Sequence, residues 1–250
     1  MAQVVPHEVH HPPTSLGLNS RKLGLWAFIG SETIFFASLI TGYLTMQGRN
    51  LEAGGPPAHA YFNLLLVSTL AFILLLSSVT MVLALAATER DDRKWERIWL
   101  GATIALGLCF LGGQVYEFNK MFNEYFVTYQ ITTSEGEVEL RGAVEHEAEE
   151  ELEHLRAEFP GADIQPVSRE GQTRFPTTWG TSLFGSTFFT LTGFHGTHVG
   201  IGVIWLGVVL AMSLLGKIRS TNSLTVEMAG MYWHFVDLVW VAIFVLVYLI

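Results

Sequence analysis

The chain reads as an all-α, polytopic membrane helix bundle of five transmembrane helices with a small external α/β insertion. Three observations predict this. Half of the 250 residues are hydrophobic and only 15% are charged. The apolar residues fall in blocks too long for a soluble core, since an α-helix needs about 20 apolar residues to cross about 30 Å of hydrocarbon. Five such blocks lie at 23–46, 61–87, 98–119, 181–214 and 228–250, and none shows the strict alternation of a membrane barrel strand.

Residues 1–22 are a polar tail with His7, His10 and His11 and no apolar core, which does not fit a cleavable signal peptide. Its histidines are read as polar filler. The first three spans occupy 23–119, an acidic insertion 120–178, and the last two spans 179–250. Arg21 and Lys22 precede the first span. Arg90, Arg93, Lys94 and Arg97 lie between the second and third, and Lys217 and Arg219 between the fourth and fifth. With five spans these all share one side, whereas the opposite loop 47–60 holds only Arg49. Basic residues next to spans face the cytoplasm, so the N-terminus is predicted inside and the C-terminus outside. Long loops translocate largely regardless of charge, so the basic residues of 120–178 do not oppose this.

The net charge of −9 is concentrated in residues 124–170. Within the insertion, 126–132 and 137–140 are β-prone runs flanking Ser134-Glu135-Gly136, a hairpin signal. Ala143 to Phe159 follows as a short helix with Leu152, Leu155 and Phe159 on one face. An acidic surface of this kind either docks a basic partner or only keeps the outer face soluble, and the second reading is preferred. The fourth block would be about 51 Å long as one helix. It must tilt, project from the membrane or bend at its glycines. Gly196 and Gly200 form a small-xxx-small pair suited to close approach of a neighbouring helix.

Polar residues inside the apolar blocks are the candidate site. An ionised carboxylate at mid-membrane costs roughly 2.5–3.5 kcal/mol on insertion scales, so it persists only where something compensates. Glu32 lies ten residues past Lys22 and Asp237 ten past Glu227, which puts both at a similar depth on different helices. Trp233, Asp237 and Trp240 share a face near the C-terminus, with His234 one turn from Asp237. His195 and His198 share a face of the fourth span. Such a set admits three readings: proton-coupled transport through the two acids, haem or metal ligation by the histidines, or polar packing against protein and lipid headgroups. Packing is preferred, because two of the three histidines crowd a single turn. Gln114 and Glu117 close the third span, where Glu117 is expected near the outer interface and charge is cheap. Cys109 is alone, so no disulfide forms within the chain. There is no phosphate loop, CxxC pair, nucleophile elbow or basic groove for nucleic acid.

Five motifs occur in order: Gly30-Ser31-Glu32 followed by Phe35-Phe36; Gln114 to Glu117; Phe184-Gly185-Ser186-Thr187-Phe188-Phe189; Gly193-Phe194-His195-Gly196-Thr197-His198-Val199; and Tyr232 to Trp240. Together they closely resemble subunit III of haem-copper oxidases of the cytochrome c oxidase type, and cover all but the second span. Tyr232-Trp233-His234-Phe235 looks more like the cytochrome c oxidases than the quinol oxidases. The resemblance implies a non-catalytic subunit of a proton-pumping terminal oxidase in a bacterial plasma membrane. By that resemblance this chain holds neither haem nor copper, which belong to partner subunits. Its partners are the haem-bearing subunit I, subunit II and bound phospholipid. Glu32 would border a lipid-filled cleft, with His195, His198, His234 and Asp237 as packing or lipid neighbours and Gln114, Glu117, Trp233 and Trp240 as interface candidates. Two departures are visible. Some relatives carry two further helices before the first span, and the acidic insertion here is larger than usual, large enough to meet a cytochrome or an extra subunit.

Overall fold

In a computed structural model, residues 19–52, 64–123, 126–132, 138–144, 148–166 and 183–249 are described. The N-terminal histidines and the turn at 134–136 lie outside them. Five helices are long and apolar enough to cross a membrane. They are α1 (Ser20–Glu52), α2 (Leu64–Glu89), α3 (Arg93–Asn123), α5 (Leu183–Leu214) and α6 (Leu224–Ile243), the last continuing into wide π-type turns over Phe244–Leu249. The five predicted blocks each map onto one helix. The long fourth block forms α5 as one uninterrupted helix and does not break at its glycines.

Hydrocarbon offers no hydrogen bonds, so a spanning helix must satisfy its polar groups internally. The hydroxyls follow the same rule. Thr33, Thr41 and Thr45 on α1, Ser68 and Thr69 on α2, and Thr190 and Thr197 on α5 each donate to the carbonyl four residues back. That lets polar residues face lipid at little cost. The turn from α2 to α3 is tight. Asp91 takes a left-handed conformation at φ 58°, while the amides of Asp91 and Asp92 cap the Thr88 and Ala87 carbonyls. Gly216 ends α5 in the same manner at φ 71°.

α6 is the central helix: 56% of its most apolar stretch is buried, against 11% for α1. It packs on α1, α2 and α5, whereas α1 packs on α5 and α6. α2 and α3 form the most extensively packed pair, with Gly113 pressed on Leu70. Trp233 fills the centre. A Cβ added at Gly107 of α3 would stand 2.7 Å from its ring, and one at Gly202 of α5 2.8 Å, so both glycines are required for the indole to fit. The expected Gly196–Gly200 crossing is corrected here. Gly196 does face α3, where its Cβ would meet Gln114 at 3.1 Å, but nothing approaches Gly200; Gly202 makes the close contact instead. Spacing alone located small residues on α5 without showing which way each one faces.

The predicted basic end is visible in the contacts. Lys22 of α1 pairs with Glu227 of α6, Arg97 of α3 donates to the Ser213 carbonyl of α5 at 2.8 Å, and Arg93 lies near Gly216. In the insertion, β1 (Phe126–Thr132) pairs antiparallel with β2 (Val138–Val144), as the hairpin reading expects. A strand not foreseen, β3 (Asp163–Pro166), pairs with the other edge of β1. The helix is shorter than expected, α4 (Ala148–Glu158). Leu155 is buried with Tyr129 and Ile131, and Leu152, Phe159 and Ile164 pack around them as a second small core.

Candidate functional site

Lys22 and Glu227 are paired, so α1 and α6 enter the bundle at a common level. Ten residues further, at 1.5 Å each, Glu32 and Asp237 both lie about 15 Å in. They share a depth but not a site.

Glu32 meets α5. Its Oε2 is 3.2 Å from His198 Nε2. His198 Nδ1 is 2.8 Å from the Phe194 carbonyl, which can only accept, so Nδ1 carries a proton and Nε2 is left for the carboxyl. One further proton between Glu32 and Nε2 completes the bond. Either group can carry it. This compensates an acid within the span. Tyr232 of α6 donates its hydroxyl to the His198 carbonyl at 3.0 Å, and Phe36 packs edge-on against the imidazole at 5.1 Å. Three helices thus converge on one polar node. Glu32 and His198 remain 21% and 14% exposed, so the node opens to the bundle surface.

His195, one turn away, is fully buried. Its Nε2 donates to the Val236 carbonyl at 3.3 Å, and its ring stacks on Trp240 at 4.9 Å with Phe110 edge-on at 5.8 Å. His234 turns to α2, where its Nδ1 meets the Ser78 hydroxyl at 2.6 Å. Asp237 is buried beside the same Ser78, without good hydrogen-bond geometry to it. The three histidines therefore address three different neighbours: a carboxyl, a carbonyl and a hydroxyl. Among these three, each imidazole is turned to a different partner and not to another imidazole, as an axial pair would require. Among the described residues no group of three His, Cys, Asp or Glu side chains converges as a metal site would.

The four residues read as interface candidates belong to the interior. Trp233 and Trp240 are buried on α6, and Trp233 Nε1 donates to Ser77 at 2.9 Å. Gln114 is buried and donates to the Thr192 carbonyl at 3.1 Å. Glu117 is buried as well and faces protein, so its carboxyl is not the freely solvated one that a position near the outer interface suggested. Depth along a helix can be counted from sequence, but azimuth toward a neighbour cannot. Sequence reasoning also missed Ser77 and Ser78, which anchor Trp233 and His234. The adjacent hydroxyls in the leucine-rich second span were the available signal, in the one span without a family motif.

Fold and site together define a multi-pass membrane subunit whose polar intramembrane residues bind helices to each other. Comparison with known proteins is specific. Residues 170–250, covering α5 and α6, match the family model for cytochrome c oxidase subunit III. Over 96% of its length the chain is 33% identical to cytochrome c oxidase subunit 3 of Alkalihalophilus pseudofirmus, covering 91% of that protein. It is 31% identical to cytochrome c oxidase subunit 3 of Bacillus sp. strain PS3, over 99% of this chain and 94% of the relative. It is likewise 31% identical to quinol oxidase subunit 3 of Bacillus spizizenii, over 91% and 85%. The chain belongs to the haem-copper oxidase subunit III family and is part of an oxidase complex with other subunits.

Proposed function

We propose that this chain is the non-catalytic subunit III of a proton-pumping cytochrome c oxidase, which reduces oxygen to water with electrons from cytochrome c. Its share is to hold phospholipid and stabilise the catalytic subunit I, alongside subunit II. Haem and copper reside in those partners. The observation that carries this reading is the Glu32–His198–Tyr232 node. It is a polar junction of α1, α5 and α6, open at the bundle surface, where a lipid headgroup can exchange hydrogen bonds with a carboxyl. The engagement of each histidine by a separate neighbour supports the assignment of redox centres elsewhere. The clustered basic ends support a cytoplasmic N-terminus in a bacterial plasma membrane.

A second reading, subunit III of a quinol oxidase, is favoured by the 31% identity to such a relative. The two are separated by oxygen uptake of the purified complex with reduced cytochrome c or with quinol as donor. The role of the node is tested in the same complex. Glu32→Ala should leave initial turnover nearly unchanged while shortening the working lifetime and reducing lipid retention. Immediate loss of all oxygen reduction would contradict a supporting role.

A further inference from the structure

A cavity of about 400 Å³ opens at the turn between α2 and α3, lined by Leu83, Ala87, Arg90, Asp92, Trp95 and Trp99. We propose that it binds the headgroup and first acyl carbons of one zwitterionic phospholipid, of the phosphatidylethanolamine type. This site is far in sequence from Glu32, and the proposal does not rest on the role given to that node or on the electron donor.

The walls are graded. Leu83 on α2 lies seven residues before Arg90 at the turn, so the apolar lining runs about 10 Å down from the charged rim. Trp95 and Trp99 stack on each other at 5.8 Å and form the opposite wall from α3. Paired tryptophans at a span end suit the boundary between headgroups and acyl chains. The rim carries both signs. Arg90 is pinned by donation from its Nε to the Ala86 carbonyl at 3.0 Å, and its terminal amino groups carry no other bond among the described residues. Of the neighbouring cations, Arg97 is bonded to Ser213, and neither it nor Arg93 nor Lys94 lines the cavity. Arg90 is the guanidinium that lines the cavity, and it can present two parallel donors to a phosphate there. Asp92 caps α3 through the Trp95 amide at 3.3 Å and places its carboxylate on the same rim. A cation for phosphate and an anion for ammonium, above an apolar slot, match a zwitterionic headgroup better than a purely anionic one.

The test is native mass spectrometry of the intact oxidase complex, purified in mild detergent and then supplied with phosphatidylethanolamine, phosphatidylglycerol or inorganic phosphate. The wild-type complex should hold one more phosphatidylethanolamine than Arg90→Gln, and Arg90→Lys should restore part of it. Asp92→Asn keeps a capping side chain and removes the charge, so it should still take a phospholipid. Its preference for phosphatidylethanolamine over phosphatidylglycerol should fall by about tenfold, the scale of one charge-assisted hydrogen bond. Equal retention by wild type and Arg90→Gln, with both variants assembled, overturns the site. Equal affinity of the wild type for the two lipids overturns the zwitterionic assignment. Displacement by inorganic phosphate shows a simple anion site and overturns the lipid.

Discussion

His195 and His198 stand one turn apart on α5 and lead opposite lives. His195 is sealed, sandwiched by Trp240 and Phe110, and spends its hydrogen bond on a backbone carbonyl. His198 is part-exposed and meets the Glu32 carboxyl across to α1 at 3.2 Å. The same residue type on the same helix is packing in one place and an adjustable polar contact in the other. Rotation toward α3 and α6, or toward α1, makes the difference. Histidine in a membrane helix is therefore not a signal for a ligand until its neighbours are known.

The sharpest way to break this comparison is His195→Ala. It removes a buried ring and its hydrogen bond from between two aromatic side chains, and should cost about 2–4 kcal/mol. The check is thermal unfolding of the purified complex, with the loss of this chain from the complex followed in parallel. A shift no larger than that of His198→Ala would remove the distinction. Next is the pair Gly202→Ala and Gly200→Ala. The first drives a methyl into Trp233 and should destabilise by about 1–3 kcal/mol. The second meets open space and should be neutral or slightly stabilising in the same assay. The smallest effect belongs to the open node. Glu32→Ala and His198→Ala should each cost about 1 kcal/mol or less, and the double variant less than their sum. Strict additivity in that cycle would show that the two side chains do not interact in the membrane.

The insertion offers a second contrast with the bundle. Its core of Tyr129, Ile131 and Leu155 forms from strand alternation and one amphipathic turn, so the hairpin and the helix face were readable. β3 was not, because four residues ending at a proline give little period to detect.

Hydropathy, span count and the shared basic end were all present in the chain as written. They are sums over neighbouring residues, and the membrane rewards them segment by segment. The depth of Glu32 and Asp237 was equally countable, since helical rise is constant. What needed the folded bundle was azimuth. Glu32 turns to His198 while Asp237 is buried beside Ser78, and Gln114, Glu117, Trp233 and Trp240 are buried within the bundle. Those outcomes depend on crossing angles set by glycines and a tryptophan on helices some thirty to a hundred and thirty residues apart, as at Gly107, Gly202 and Trp233. No local pattern encodes a rotation of one helix against another, because that rotation is chosen by the packing of all of them at once.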